Sequence, residues 1–397
     1  MPLGCLPFQA HLFFGFHPRG ERSIRQRWRV VDPHYRATLY GKPVNSPLKT
    51  GQKGKMAKKI QTSEYCTVGH PDRTCDYIAS YILDKYLEAD RRSRVALEVQ
   101  LKERYCTISG EITSNAPYDE EAIADFAREA IAKVGYTDEY QERFGDSNTI
   151  CAEEVEVETH ISRQSQDISQ GVDRDSWGDQ GLAFGYAVDD PKMGDMPRDY
   201  WLARKLAQSI AGTCGGLDVK TQVTLADGKP IECVVAIPLA PGEDEESVLE
   251  AARAVVGDEC AIVVNGTGRY VAHGPIADCG TTGRKLVVDF YGGNSRIGGG
   301  CPWGKDPTKA DVTLNVYARR KALEGMRRYG YPSMQCMISC CIGKRDIRVT
   351  LLDGENRIVE TYTESNPASH VIESLGLDKP VYAEMCRNGL FGYEGRD

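Results

Sequence analysis

The sequence has 397 residues, of which 41% are hydrophobic and 27% charged, a composition typical of a soluble globular protein with two or three domains. No apolar run approaches the roughly 20 residues of a membrane-spanning helix, which excludes a membrane protein. The net charge of −8 combines ten Lys/Arg against two Asp/Glu in residues 1–55 with 39 against 55 in the remainder. A body of charge −16 argues against nucleic-acid binding, which depends on a basic surface.

Residues 1–55 form a basic leader, and their only apolar stretch, 12–16, is too short for a secretory signal. We interpret the leader as an upstream extension, with Met56 as the true start. A basic disordered tail or an organelle-targeting segment is the alternative. The fourteen cysteines form no Cys-x-x-Cys pair. Free thiols in a reducing cytoplasm are therefore expected.

Helical and strand patterns alternate from Met56 onward. Helices are predicted at 72–87, 119–134, 197–210, 244–256, 310–328 and 368–375. Strands are predicted at 94–101, 105–113, 153–161, 220–226, 230–239, 261–264, 285–291, 334–342 and 346–352. This order favours an α+β fold of three units over one doubly wound sheet. A polar loop at 163–181 follows the strand predicted at 153–161, and it is either a surface connector or a lid that closes over substrate.

The run from Gly274 to Asp311 holds nine glycines, five Lys/Arg and four Asp within 38 residues. Glycine lets backbone approach a ligand closely, Lys and Arg neutralise phosphate, and Asp offers oxygen to Mg²⁺. The combination indicates a polyphosphate site with metal ions. The structural alternative is a series of tight turns between short strands with solvated charges.

The motif GHPDR at 69–73 places Pro71 where a helix begins and Asp72 in its first turn. On structural grounds alone, Asp72 complements the helix dipole. In the functional interpretation, Asp72 is a Mg²⁺ ligand and His70 contacts a phosphate or the leaving oxygen.

The segment 299–306, GGCPWGKD, fits the G-x-x-x-x-G-K frame of a phosphate-binding loop. However, Asp306 stands where Ser or Thr binds Mg²⁺, and Pro302 removes an amide from the phosphate cradle. A standard phosphate-binding loop is therefore not expected.

Seven motifs in order resemble those of S-adenosylmethionine synthetase (methionine adenosyltransferase) and cover most of residues 62–320. Together they are far more specific than any one alone. They are GHPDR at 69–73, GEITS at 110–114, QSQDISQGVD at 164–173, GDQGLAFGYA at 178–187, DVKTQV at 218–223, GPIADCGTTGRK at 274–285 and YGGNSRIGGGCPWGKDPTKAD at 291–311.

The resemblance implies three similar α/β-sandwich domains in a pseudo-threefold arrangement, which we assign to 56–165, 166–272 and 273–397. It also implies a homodimer or homotetramer with active sites at the subunit interface. In the implied reaction, the sulfur of L-methionine attacks C5′ of ATP, and the expelled tripolyphosphate is cleaved to pyrophosphate and phosphate. The implied ions are two Mg²⁺ per site and K⁺.

Site residues are carried over from the matching motifs. The implied triphosphate contacts, His70 being nearest the breaking bond, are His70, Lys220, Arg284, Lys285 and Lys305. Further implied ATP contacts are Asp218, Arg269, Tyr270, Asp278 and Cys301. The implied methionine site comprises Glu111, Gln164, Asp278 and Lys309, with Asp179 near the developing sulfonium. Asp72 and Asp311 would bind Mg²⁺, and Glu98 would bind K⁺. Taken singly, Glu98 suits a solvated strand face, Asp179 a turn cap and Tyr270 a core position.

The sequence departs from the family pattern at several points. Arg73 replaces the Lys that commonly follows the Asp of the motif, and Gln166 stands where the loop commonly has Pro. Similarity fades after about residue 330, and we therefore expect a trimmed C-terminal domain. These departures motivate the main alternative, a catalytically silent ATP-binding regulatory homologue. A tripolyphosphatase or kinase is a third hypothesis, which the missing Ser/Thr after Lys305 disfavours.

Overall fold

Three four-stranded sheets, each with helices packed on it, make up residues 59–163 and 175–393, the part of the chain described by the computed structural model. All of these residues belong to one compact unit that extends from Ala57 to Asp397. Within these described residues, no helix combines the length and the apolar character that crossing a membrane requires.

The strands are, in chain order, β1 (Ile60–Cys66), β2 (Arg94–Lys102), β3 (Tyr105–Thr113), β4 (Glu156–Ser162), β5 (Gly181–Val188), β6 (Lys220–Ala226), β7 (Lys229–Ala236), β8 (Ala261–Val264), β9 (Gly280–Thr281), β10 (Ser333–Cys340), β11 (Asp346–Asp353) and β12 (Ile358–Ser365). The helices are α1 (Pro71–Ala89), α2 (Glu120–Val134), α3 (Asp138–Phe144), α4 (Arg198–Cys214), α5 (Glu246–Val256), α6 (Gly274–Ala277), α7 (Leu286–Asp289), α8 (Ala310–Tyr329), α9 (Ala368–Ser374) and α10 (Tyr382–Asn388).

The sheets have the strand orders β1-β6-β7-β8, β4-β3-β2-β9 and β12-β11-β10-β5. Neighbouring strands are antiparallel except β3 with β4 and β7 with β8. Each sheet combines strands that are distant in sequence, so strand pairing crosses the predicted ranges 56–165, 166–272 and 273–397. For example, β1 pairs with β6, and β9 pairs with β2. The reason is that an edge strand takes whichever partner satisfies its backbone groups.

Alternation along β2 shows how the pattern of the sequence produces this packing. Val95, Leu97, Val99 and Leu101 are fully buried towards α1, whereas Glu98 on the opposite face is exposed. Side chains of a strand alternate between its two faces, so one face builds the core and the other stays polar. The third sheet has its own core against α8.

Most predicted helices and strands are confirmed to within a few residues, but the strand predicted at 285–291 is wrong. Residues 286–289 instead form the short helix α7, with Val287 exposed and Val288 buried. A short apolar run fits a buried strand and a buried helix equally well, and tertiary packing decides between them. Strands β1, β5, β9 and β12 and helices α3, α6 and α10 were not predicted.

The glycine-rich run is attached to β2 at two places. Gly280–Thr281 pairs with the end of β2 as β9, and Lys305 forms an isolated bridge with Ala96. Next to that bridge, the Leu97 amide donates to Gly304 O at 3.0 Å. These contacts bring the run close to the N-terminus of α1.

Candidate active site

The N-terminus of α1 is built as the GHPDR motif predicts. His70 is the N-cap with extended backbone, Pro71 opens the helix, and the Asp72 amide donates to His70 Nδ1 at 3.2 Å. Gly69 permits a close approach, because a Cβ there would lie 2.3 Å from Leu217 O. The chain segment before Asp218 is thereby held against the segment before His70.

Asp72 is fully buried and lies at the centre of a group of cations. Its carboxylate accepts from the Thr281 amide at 2.9 Å, forms an ion pair with Lys285 Nζ and lies 3.6 Å from Arg284 Nε. Since the two cations follow directly on β9, the β9–β2 pairing positions them over α1.

His70 is a neutral imidazole at physiological pH. Burial, with a further contribution from the nearby Lys285 charge, lowers the pKa of His70 to about 4. Because Nδ1 accepts the Asp72 amide, the remaining ring proton is assigned to Nε2. The ring therefore offers one neutral N–H donor.

Three of the predicted triphosphate contacts line one cavity of about 360 Å³. Lys220, Arg284 and Lys285 contribute to its wall, together with Glu64. Lys220 Nζ lies 3.0 Å from a Glu64 carboxylate oxygen across the β1–β6 pair. Since Arg284 is 52% exposed and Lys220 44% exposed, these charges face solvent and are accessible to an anion.

Asp218 and Asp278 lie beside this group. The Gly274 amide donates to Asp218 Oδ2 at 3.0 Å, and burial raises the pKa of Asp218 to about 6, with a further contribution from Asp278. Tyr270 is half-buried, and both burial and the Asp218 charge raise the pKa of its phenol. Arg269 has a structural role in this structure, because its guanidinium donates to the backbone carbonyls of Leu239 and Ala240.

A second group of side chains surrounds Lys305. We define the Lys305 group as Lys305, Glu98, Cys301 and Asp311. Lys305 Nζ lies 2.7 Å from Asp311 Oδ2. Burial lowers the pKa of Lys305, but the hydrogen bond and charge of Asp311, together with the nearby Cys301 and Glu98, outweigh burial, so that the pKa is raised. Burial also raises the pKa of Glu98, whereas the Lys305 charge lowers it. Gly300 lies against the Asp311 carboxylate, because a Cβ at this position would lie 2.0 Å from it and would displace that side chain.

Asp306, the residue that breaks the phosphate-loop pattern, has a structural role. It is fully buried, accepts from the Val95 amide at 2.9 Å and from the Thr308 amide at 3.0 Å. Lys309 Nζ lies 3.2 Å from Asp306. The carboxylate thus fixes the turn that follows Lys305, and Lys309 neutralises it.

Of the three remaining predicted residues, the structure describes Glu111 and Asp179. Glu111 is on β3 opposite Ala96, and Asp179 is exposed, with its backbone carbonyl 3.4 Å from Cys340 Sγ. Gln164 lies outside the described residues, as does most of the predicted lid. Among the described residues, no hydrogen bond or ion pair joins the Lys305 group directly to Asp72 and its partners. The two groups meet where Gly283 approaches Cys301.

Comparison with known proteins identifies the family. Residues 58–166 match the model of the S-adenosylmethionine synthetase N-terminal domain, and residues 272–396 match that of the C-terminal domain. The S-adenosylmethionine synthases of Sorangium cellulosum and Desulforudis audaxviator are 35% and 36% identical over 370 and 385 residues. Those alignments span 83% and 85% of this chain and 85% and 94% of the relatives. The chain belongs to the S-adenosylmethionine synthetase family.

A solved structure described as an unusual S-adenosylmethionine synthetase from Campylobacter jejuni supports the same assignment. It superposes with a TM-score of 0.77 at 26% identity and covers 85% of this chain and 95% of that one. The predicted family and the α+β S-adenosylmethionine synthetase fold are therefore confirmed. The C-terminal match reaches residue 396, beyond the point where the motifs fade in the sequence.

A buried polar cluster that was not predicted lies behind the S-adenosylmethionine synthetase motifs. We call it the Arg73 cluster, and it comprises Arg73, Asp76, Asp289 and Trp303. Asp76 Oδ1 accepts from the Gly283 amide at 2.8 Å, and Asp289 Oδ2 accepts from Trp303 Nε1 at 2.8 Å. The four-residue spacing from Asp72 to Asp76 puts both acids on one helix face and was the available signal. Nothing local in the sequence indicates that Asp289 is a partner.

The carboxylates fit the Mg²⁺ ions that the family resemblance implies. Among the described residues, no group of three or more His, Cys, Asp or Glu side chains converges on a point. Mg²⁺ that binds with a nucleotide needs only one or two protein carboxylates, because phosphate and water supply the other oxygens. Asp72 and Asp311 each offer one such carboxylate beside a cation.

Proposed function

We propose that the protein is a methionine adenosyltransferase that makes S-adenosylmethionine from ATP and L-methionine. The observation that carries the proposal is the convergence of Lys220, Arg284 and Lys285 on one cavity beside the neutral His70. Membership of the S-adenosylmethionine synthetase family supports the same activity. In the reaction, the methionine sulfur forms a bond to C5′ of ATP while the C5′–O bond to tripolyphosphate breaks.

The chemistry needs no general base, because the thioether sulfur attacks as a neutral nucleophile. The protein must align sulfur with C5′ and stabilise the charge of the leaving group. We assign the second task to Lys220, Arg284, Lys285 and Lys305. His70 would donate its Nε2 proton in a hydrogen bond to the oxygen that leaves C5′, for which a neutral imidazole is suited. The tripolyphosphate is then hydrolysed to pyrophosphate and phosphate before release.

We assign the bound Mg²⁺ ions to Asp72 and Asp311, where they would neutralise phosphate charge. Each carboxylate is now paired with a cation, Asp72 with Lys285 and Asp311 with Lys305. These four side chains therefore supply both the anionic groups that bind metal ions and the cationic groups that bind a polyphosphate. The acids would face the ions, and the lysines would face the phosphate oxygens. Glu98 remains our candidate for K⁺.

The remaining assignments concern the two organic ends of the substrates. Tyr270 would present its ring to adenine, with Asp218, Arg269 and Cys301 nearby in the ATP site. The methionine site would comprise Glu111, Gln164, Asp278 and Lys309, with Asp179 near the developing sulfonium. Arg269 and Lys309 already have partners in the free chain, so both would exchange or share them on binding.

We further propose a homodimer or homotetramer with active sites at the subunit interface. The face of the second sheet that carries Glu98 and Gln100 is exposed and polar, and it continues through Ser109 to Glu111. A second copy on this face would bring further side chains to the Lys305 group. We place the enzyme in the cytoplasm, which suits the free thiols of the described cysteines.

Incubation with ATP, L-methionine, Mg²⁺ and K⁺, followed by mass spectrometry, tests the function. We expect the sulfonium product together with equal amounts of pyrophosphate and phosphate. Binding of ATP without product would instead support the silent regulatory homologue. Phosphate release from added tripolyphosphate without adenosyl transfer would support the third hypothesis. Either result, obtained with folded oligomeric protein, contradicts the proposed function.

A further inference from the structure

We infer that Arg73 is a positioning residue. From outside the cavity, it holds in place the loop that carries Arg284 and Lys285 and the loop that carries Lys305. The inference rests on the proposed function, because the loops that it holds carry Arg284, Lys285 and Lys305. Arg73 stands where the family motif commonly has Lys, and it is not among the described residues that line the cavity.

Arg73 is buried completely, and both terminal nitrogens of its guanidinium have acceptors. Its Nη1 donates to Asp289 Oδ1 and lies 3.5 Å from Asp76 Oδ2, and its Nη2 donates to Cys386 O at the end of α10. The guanidinium also lies over the indole of Trp303, 5.4 Å from the ring centre. One side chain thus joins α1, α7, α10 and the segment before Lys305.

Two connections lead from Arg73 to the site. The first runs through Asp76, which accepts from the Gly283 amide at 2.8 Å. Gly283 has a φ of +80° and directly precedes Arg284 and Lys285. The second runs through Asp289 to the Trp303 indole N–H, two residues before Lys305. The Arg73 cluster therefore links the two groups of cations that have no direct bond to each other in the described residues.

An arginine suits this position better than the lysine that the motif commonly has. The guanidinium offers two nitrogens in a fixed plane to acceptors in different directions, and its face packs on the indole. A lysine has one ammonium group, which cannot reach two carboxylates and a carbonyl with the same geometry. Two buried carboxylates without a full complement of donors would then shift the loops that they hold.

Arg73→Lys in the full-length enzyme tests the inference, with Arg204→Lys as the matched control. Arg204 is also buried, donates to two C-terminal carbonyls, Phe391 O and Gly392 O, at 2.6 Å, and lies over a tyrosine ring. Unlike Arg73, Arg204 has no carboxylate partner and holds no cation-bearing loop within the described part of the chain. Both variants should lose stability, whereas only Arg73→Lys should alter the phosphate end of the site.

We expect Arg73→Lys to raise KM for ATP about tenfold and to lower kcat about tenfold, since a misplacement of about 1 Å has effects of that order. KM for methionine should stay within about twofold, because only the leaving-group end is affected. Equal changes in both KM values, or unchanged kinetics, would overturn the inference, as would the same kinetic pattern in Arg204→Lys.

A second variant covers the case in which Arg73→Lys does not fold. Asp76→Asn keeps an acceptor for the Gly283 amide but removes the charge that Arg73 holds, and it should show the same ATP-specific defect. If the wild-type protein makes no product, the proposed function fails, but calorimetric titration with ATP still tests Arg73. Weaker ATP binding in Arg73→Lys than in Arg204→Lys supports the positioning role, and equal binding refutes it.

Discussion

Replacing Lys305 by methionine removes one cation of the site while keeping most of its volume. Lys305 Nζ lies 2.7 Å from Asp311, and its side chain is 20% exposed. Lys321 provides a matched control remote from the site. Its Nζ lies 2.8 Å from Glu364, and its side chain is 14% exposed. The two lysines therefore differ mainly in what their charge faces.

The expected magnitudes separate the structural effect from the catalytic one. A hydrogen bond between charged groups contributes about 1.5–3 kcal/mol, so each variant should lose about 1–2 kcal/mol of stability after allowance for solvent exposure. Loss of a charge that stabilises the leaving group should lower kcat about 100- to 1000-fold, equivalent to about 3–4 kcal/mol. Lys321→Met should keep kcat within about threefold.

The assay combines urea unfolding of each variant with initial rates of sulfonium product formation at saturating substrates. The reasoning is refuted if Lys305→Met retains near wild-type kcat while folded. It is also refuted if both variants lose activity to the same degree, because the loss then follows stability rather than the position of the charge.

Three further predictions concern stability. Burial lowers the pKa of His273 to about 4, so the folded state carries the neutral ring while the unfolded state takes up a proton below about pH 6.5. The stability that His273 contributes is therefore complete above pH 6.5 and lost towards pH 4. Between those pH values, the free energy of unfolding of the wild type, measured by chemical denaturation, should fall by up to about 3 kcal/mol more than that of His273→Gln. Gly185→Ala should lower the free energy of unfolding by about 3 kcal/mol, because the new Cβ would lie 1.9 Å from Ala318 O. Gly181→Ala on the same strand has open space around the new Cβ and should leave the thermal melt nearly unchanged. Asp84→Ala should cost about 2 kcal/mol in urea unfolding, because Asp84 accepts from the first two amides of α10 at 3.0 and 2.8 Å, and an unchanged midpoint would contradict that role.

Much of the fold could be predicted because its signals are local. The period of β2 and the acids that open α2 predict those elements almost to the residue. The segment Leu286–Asp289 shows where this fails, since the apolar run is compatible with either type of element. Its helix depends on the burial of Asp289 against Trp303 and Arg73, and neither contact has a local signature.

The candidate site was predictable as a set of residue types but not as an arrangement. The motifs predict His70, Lys220 and Lys285 as triphosphate contacts, yet not that Lys305 and Asp311 form a separate group. The motifs likewise do not indicate that Arg269 donates to backbone carbonyls or that Lys309 pairs with Asp306. Contacts between side chains that are more than a few residues apart depend on the packing of the complete fold, and this packing cannot be inferred from the local pattern of one sequence.

By itself, the sequence determined the chemistry available to this protein: an acidic body, a local concentration of Gly, Lys, Arg and Asp, and a helix that begins at a His-Pro-Asp motif. Only the tertiary structure decided which of these groups meet. It places Asp72 beside Lys285, 213 residues away, and Arg73 beside Asp289, 216 residues away. The physical reason is that helix starts and strand periods arise from neighbouring residues, whereas a buried charge is stabilised only by the partners that the completed fold brings to it.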